Sequence, residues 1–357
     1  MPVLSSNDWD DILFDIQEQK AVLLIGPEIM TVEGIPVNKY LRDKIFERNS
    51  DDIAYYYERD GFFLFKTPEA KVRVARQIKR FYRDLSPNES LLKNVIQIPF
   101  HLIVSLNPDT FITEAFYRYG VKHRFHYFQH RNRDNENEEI EKPSYAQPLV
   151  YNLFGSKDQD DSLILDYDDV FKLLQSAFGT TSLPNKFLRT FREASTYIFL
   201  GFQFDKWYSQ LLLKYLSESG RREKMISINK NLEDKDTHEF VIRQFQIQFL
   251  GNQFDFLNEL YNQCSKAGIL RTLAEESASP EAVEIRQRVS NGEIPEALDL
   301  LDNAFRSSAI ENDVIVLKGR YNILMEEQEK GALDSRDYRT ELNRILDSVL
   351  ELAQTIP

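Results

Sequence analysis

Apolar residues fall into two patterns along this chain. Three unbroken runs end abruptly: Ala21-Val22-Leu23-Leu24-Ile25 at Gly26-Pro27-Glu28, His101-Leu102-Ile103-Val104-Ser105-Leu106 at Asn107-Pro108-Asp109, and Thr196-Tyr197-Ile198-Phe199-Leu200 at Gly201-Phe202. Four to six mostly apolar residues closed by Gly, Pro, Asn or Asp predict strands buried on both faces. Shorter runs at 148–151, 225–228 and 245–250, and an alternating aromatic one at 124–129, predict further strands. Elsewhere apolar residues recur at helical spacing, over 7–19, 110–119, 163–178, 185–194, 205–218 and 254–268. Asn7 or Asp8 suits the first N-cap. From residue 37 to about 93 the spacing stays helical, with Ile53, Tyr56 and Tyr57 in one segment and Val72, Ala75, Ile78 and Tyr82 in another. A helical insertion, about 37–95, is therefore expected between the first two strands. Strand followed by helix, repeated, predicts an α/β fold with a Rossmann-like, mainly parallel sheet whose strand carboxyl ends share one crevice.

The pattern changes at Ala274-Glu275-Glu276-Ser277-Ala278-Ser279-Pro280, and no strand is expected beyond it. Ser279-Pro280 opens a helix, Asn291-Gly292 stops it, Pro295 marks another first turn, and Asn312 and Asp334-Ser335 open two more around Gly331. Leu298, Leu301 and Phe305, then Leu317, Tyr321 and Leu324, then Leu342, Ile345, Val349 and Leu352 supply one apolar face each to the last three of these four helices. The expected division is an α/β domain over 1–272 and a small all-α helical bundle over 280–357.

Composition narrows the function classes. The chain has 357 residues, 42% of them hydrophobic and 12% aromatic, enough to fill the core of a sizeable sheet with covering helices. A formal charge of −13 argues against nucleic acid or anionic lipid as a main partner. Residues 281–357 hold 16 acidic and 9 basic side chains, so the bundle carries over half of that excess. The single cysteine, Cys264, excludes an internal disulfide and any zinc site of two or four cysteines, and fits a cytoplasmic location. Residues 1–11 are polar and acidic, unlike a secretory signal, and no apolar run reaches the length of a membrane span. The run at 131–142, RNRDNENEEIEK, reads as an exposed loop.

Candidate chemistry clusters at the strand ends, where each residue also has a plainer reading. Asn107 suits a ligand-positioning amide or the cap of the next helix, with Asp109 as a first-turn acid. Gly26 and Gly201 suit close approach to a ligand or ordinary turns. Glu28 and Asp109 could face each other across the crevice as a carboxylate pair. Asp166, Asp168 and Asp169, with Asp160 and Asp161, read as a solvated loop and helix start rather than a metal site. Phe62, Phe63, Phe65 and Tyr55 to Tyr57 read as core.

Taken in order, Gly26-Pro27-Glu28, Asn107-x-Asp109, Asn152-Leu153-Phe154-Gly155, and Tyr197-Ile198-Phe199-Leu200-Gly201-Phe202 with Asp205 resemble the sirtuin-like NAD-binding family of bacterial conflict systems, over about residues 20–260. Residues 280–355, around Asn312-Asp313-Val314 and Arg320-Tyr321, resemble an effector-associated domain. The first resemblance implies NAD as substrate or ligand, cleavage of its nicotinamide–ribose bond, and no need for zinc. It implies a cofactor site of Gly26, Glu28, Asn107, Phe154, Gly155, Gly201, Phe202 and Asp205, with Asn107 and Asp109 as catalytic candidates. The second implies a protein partner, with a like adaptor domain, and a homo-oligomer.

Two positions depart from the family. Pro27 removes an amide, and Glu28 adds negative charge, where the family's first loop cradles phosphate. Phe154 stands where the family has its general base, a histidine before glycine, and phenylalanine accepts no proton. Among His101, His123, His126, His130 and His238, His126 is the first candidate for a substitute base. An oxocarbenium-like transition state also needs electrostatic stabilisation and a positioned water more than a base. Three classes stay open: an NAD glycohydrolase effector of an antiphage-type system, recruited through its bundle; a degenerate nucleotide-binding or scaffold protein; and a deacylase, disfavoured by the missing zinc cysteines.

Overall fold

The computed structural model describes residues 4–49, 51–129, 140–178, 183–216, 224–228, 235–250, 253–274, 279–306, 308 and 310–356. Most of the charged run expected as a loop, residues 130–139 with His130, lies outside them. The chain begins α1 (Ser6–Gln17), β1 (Ala21–Ile25), β2 (Thr31–Val32), β3 (Ile35–Pro36), α2 (Val37–Asn49), β4 (Ile53–Tyr57), β5 (Phe62–Phe65), α3 (Pro68–Asp84) and α4 (Glu89–Gln97). It continues β6 (Leu102–Ser105), α5 (Phe111–Arg118), β7 (Arg124–Tyr127), β8 (Leu149–Asn152), α6 (Tyr167–Phe178), α7 (Asn185–Arg192), β9 (Thr196–Leu200) and α8 (Trp207–Leu216). Then come β10 (Lys224–Ile228), α9 (Lys235–Phe245), β11 (Ile247–Leu250), α10 (Gln253–Lys266), α11 (Pro280–Ser290), α12 (Ile294–Ala304), α13 (Glu311–Glu329) and α14 (Ser335–Gln354). Two compact units emerge, one of residues 1–110 with 125–270, the other of residues 111–124 with 271–357.

In the first unit seven strands form one sheet in the order β11-β10-β9-β1-β6-β8-β7. The five pairings from β11 through β8 are parallel, as a strand-helix alternation requires. β1, β6, β8 and β9 are buried at every residue, which explains their unbroken apolar sequences. Register fixes the functional edge. Ile25 pairs with Ser105 and with Leu200, and Ser105 pairs with Asn152, so four strands end level and their following loops leave side by side. One face is packed by an aromatic core in which Tyr151 stacks on Phe187 at 4.3 Å and the buried Tyr197 hydroxyl donates to the Phe191 carbonyl at 2.7 Å.

Three local expectations are corrected. Residues 53–57 are not helical: β4 and β5 form an antiparallel hairpin inside the otherwise helical insertion, with Tyr56 opposite Phe63 and Tyr57 opposite Phe62. Consecutive β-formers on both sides of the Asp60-Gly61 turn override a weak helical spacing. The first helix is capped by Ser5, whose hydroxyl accepts from Asp8 N–H at 3.3 Å while Asp8 accepts from Ser5 N–H at 3.0 Å. This reciprocal pair satisfies two amides, which a cap at Asn7 or Asp8 would not. The acidic cluster is not merely solvated. Asp169 is fully buried and takes Lys71 Nζ at 2.6 Å, while Asp166 takes it at 2.7 Å, tying α3 to the start of α6.

The second unit is helical. Leu298, Leu301, Phe305, Leu317, Leu324, Ile345 and Val349 meet in its core, with Tyr321, Leu342 and Leu352 packed against it, so the expected apolar stripes do face inward. Pro280 and Pro295 lie in the first turns of α11 and α12. Sequence spacing places α5 as a helix, and the structure groups it with these helices rather than with the sheet that its chain neighbours build.

Candidate functional site

The turn after β1 fastens itself to the protein. Gly26 N–H donates to the Leu200 carbonyl at 2.9 Å, Glu28 N–H to Gly201 at 3.1 Å and Ile29 N–H to Gly26 at 3.4 Å, while Pro27 has no amide. All three amides of residues 26–29 are thereby committed, so this turn offers no ring of N–H groups to a phosphate. The two glycines follow from the same packing. A Cβ on Gly26 would lie 2.2 Å from the Gly201 oxygen, and one on Gly201, at φ +62°, would lie 2.2 Å from Ile29 N. Two strand-end loops cross backbone to backbone here, and only glycine fits.

Asn107 leaves β6 beside them. Its backbone N–H donates to Ser105 Oγ at 2.9 Å and its Nδ2 to the Gly26 carbonyl at 3.2 Å, so the side chain is held rather than spent on capping α5. Its Oδ1 accepts no bond among the described residues. Asn107 lines a cavity of about 270 Å³ together with Glu28, Pro108, Phe154, Gln203, Lys206 and Tyr208. Glu28 Oε1 accepts from Gln203 Nε2 at 3.0 Å. The Phe154 ring stands 5.7 Å from that of Tyr208.

Charge around this cavity is mixed. Glu28, Glu58 and Asp60 line it, as do Lys39, Arg42 and Lys206. Lys206 donates to the Arg59 carbonyl and lies 3.1 Å from Asp205. Asp60 accepts from the Tyr167 hydroxyl, and its carbonyl takes Tyr208 OH at 3.2 Å. Burial, then the Asp60 contact, pushes the Tyr167 phenol up to about 12. Burial raises Tyr82, helped by Asp109, and raises Tyr208, helped by Asp205 and Asp60. These hydroxyls stay protonated near neutral pH.

Of the residues expected at the site, Glu28, Asn107 and Phe154 line one cavity. Gly26, Asp109, His126, Gly155, Gly201, Phe202 and Asp205 do not line it. Gly26 and Gly201 form its supporting loops, and the Asp109 carbonyl accepts from Asn152 Nδ2 at 2.8 Å. Gly155, at φ +82°, faces the Ser162 carbonyl, where a Cβ would come within 2.1 Å. Phe202 is buried against Phe199 and Phe204, with ring centroids 5.2 and 4.8 Å away. His126 is buried on β7, which β8 separates from β6. Sequence reading missed Gln203 and Lys206, two and five residues past Gly201, and Lys39 and Arg42 on α2. A polar residue just beyond a strand-end glycine was the available signal for the first.

A cavity at the carboxyl ends of the central strands lies where open, mainly parallel α/β sheets hold their ligands. Family comparison is more specific: residues 101–250 match the SIR2-like domain, and residues 280–357 match effector-associated domain 11. The chain thus carries a SIR2-like domain followed by an effector-associated domain. No curated protein matches it. Together the two domains support a sirtuin-like effector of conflict systems. Among the described residues, no group of three or more His, Cys, Asp and Glu side chains is placed to hold a metal, and no helix is long and apolar enough to cross a membrane.

Proposed function

We propose that the SIR2-like domain binds NAD in the cavity beside Asn107 and hydrolyses its nicotinamide–ribose bond when the effector-associated domain assembles, in a bacterial cytoplasm and in an antiphage-type defence. The observation that carries this reading is Asn107: its amide nitrogen is tied to Gly26, its side-chain carbonyl oxygen accepts no bond among the described residues, and it lines a cavity that Glu28 also lines. In the reaction the bond from ribose C1′ to the pyridine nitrogen breaks, and its electron pair leaves with nicotinamide. A water oxygen bonds to C1′, and its proton passes to a carboxylate or to solvent. Asn107 Oδ1 accepts from a ribose hydroxyl or from that water, and Glu28 opposes the positive charge that develops on the sugar. A carboxylate there disfavours phosphate, so the diphosphate is expected toward Lys39, Arg42 and Lys206 instead. The like-with-like contact of effector-associated domains supplies the homo-oligomer or partner.

A second reading, a scaffold with a degenerate site, is favoured by Phe154 and by the committed amides of the first turn. Nicotinamide release from NAD by the full chain, alone and fused to a dimerising or higher-order scaffold, separates the two. Release that depends on assembly and rises in Phe154→His supports hydrolysis. Inertness of both chains in every assembly state supports the scaffold.

A further inference from the structure

The helix that follows the catalytic candidate belongs to the other unit. Residues 111–124 leave the sheet unit directly after Asn107-Pro108-Asp109-Thr110, group with the C-terminal helices, and return to the sheet through β7. This segment is stitched along its length. In the C-terminal unit, the Arg271 guanidinium lies 5.6 Å over the Phe116 ring, and the Tyr119 carbonyl accepts from Ala274 N–H at 3.1 Å. The Gly120 carbonyl accepts from Gln354 Nε2 at 3.3 Å, Lys122 pairs with Glu351, and Arg124 pairs with Asp347. His123 is buried in the same segment, 5.2 Å from the Phe116 ring and 4.4 Å from that of Tyr117.

The connection back to Asn107 is short. Three residues separate Asn107 from Phe111, a reach of roughly 14 Å at most for the four steps of fully extended chain. The sheet unit grips that link at every step: the Pro108 carbonyl accepts from Lys157 N–H at 2.7 Å, the Asp109 carbonyl from Asn152 Nδ2 at 2.8 Å, and Asn107 itself is bonded to Ser105 and Gly26. Only Thr110 lies between these held residues and the start of α5, so a displacement of α5 acts within one residue of the bonds that hold the Asn107 loop. Proline at 108 removes one of the softer dihedrals from the link.

We propose that residues 111–124 form a coupling segment through which the state of the effector-associated domain sets the position of Asn107. The segment is part of the adaptor fold by packing and part of the active-site loop by covalent continuity. Assembly that repacks α11 or α14 then changes the Asn107 geometry without any new contact at the cavity. The proposal rests on the reading that Asn107 serves the cavity and that adaptor assembly governs it, but its test requires no turnover.

The test is amide hydrogen exchange across the full chain. Asp347→Lys places like charge against Arg124, whereas Asp299→Lys makes the same kind of change against Lys318, which Asp299 holds at 2.9 Å in the same unit but away from α5. Coupling predicts that Asp347→Lys speeds exchange tenfold or more at residues 119–124 and also at Leu106 and Asn107, while Asp299→Lys leaves Leu106 and Asn107 within twofold of the parent chain. If Asp347→Lys does not fold, Gln354→Ala, which removes one bond to Gly120, takes its place. Loosening of 119–124 without any change at Leu106 and Asn107 overturns the proposal. So does an equal response to Asp299→Lys, and so does no response in either segment. NAD incubation of the same proteins is a separate readout: absence of binding and hydrolysis removes the functional reading while exchange still decides the coupling.

Discussion

Replacing Gly201 by alanine probes the crossing of strand-end loops on which the cavity stands. The added Cβ would sit 2.2 Å from Ile29 N, 2.7 Å from Glu28 C and 2.8 Å from Ile29 Cα, all backbone atoms that cannot rotate away. The residue also holds φ +62°, a left-handed conformation that costs an L-residue about 1–2 kcal/mol. Overpacking adds about 1–3 kcal/mol, giving a total of about 2–5 kcal/mol. Gly268 provides the internal control, since it has φ +67° but no atom within 4 Å of its missing Cβ. Gly268→Ala should therefore cost only the backbone part, about 1–2 kcal/mol. In calorimetric unfolding of the full chain, Gly201→Ala should lower the midpoint of the sheet unit by roughly 5–15 °C and Gly268→Ala by a few degrees at most. Equal shifts for the two variants would show that the loops do not meet backbone to backbone, and the account of the site's foundation would fail with them.

Burial lowers His123 from 6.5 to about 4, with the Val121 carbonyl opposing and Arg124 reinforcing that shift. A depressed histidine stabilises the fold fully above pH 6.5 and loses that contribution as pH falls toward 4. Acidification across this window should cost the C-terminal unit about 3 kcal/mol, and thermal unfolding of His123→Phe should show a flatter dependence. Asp169→Ala removes the buried partner of Lys71 and the acceptor of Leu165 N–H at 3.0 Å, so chemical denaturation should report a loss of about 3 kcal/mol. Cys264 is buried, and burial pushes its thiol up to about 12, so a thiol reagent should leave it untouched in native buffer and label it fully in denaturant.

The central sheet was legible in the chain because strands buried on both faces must be apolar throughout, and β1, β6 and β9 announce themselves and their carboxyl ends in that way. The bundle was legible because apolar residues recur at helical spacing and Pro280, Pro295, Gly292 and Gly331 mark helix starts and stops, although α13 also exposes Ile315, Val316 and Ile323. The β4–β5 hairpin was obscured by Ile53, Tyr56 and Tyr57, whose spacing suits a helix, while the β-forming aromatics on both sides of Asp60-Gly61 decided the outcome. Asp169 was misread because neighbouring acids look solvated until Lys71, nearly a hundred residues earlier, supplies the partner. Gly26 and Gly201 stood out as site glycines, yet what demands them is the backbone of the facing loop, Gly201-Phe202 for the one and Glu28-Ile29 for the other, rather than a ligand's. That α5 packs with helices more than 150 residues away had no local signature, since its amphipathic face suits either unit.

Nicotinamide release from NAD tests the central claim most directly, with the parent chain and Asn107→Ala measured both alone and on an assembling scaffold. Asn107→Ala loses one bond to Gly26, about 1 kcal/mol, so it should fold with a nearly unchanged midpoint. The account predicts slow or no release from the isolated parent, with Phe154 in place of a proton acceptor, clear release on assembly, and none from assembled Asn107→Ala. Rapid release by the isolated chain that survives Asn107→Ala would place the chemistry elsewhere in the molecule and contradict it.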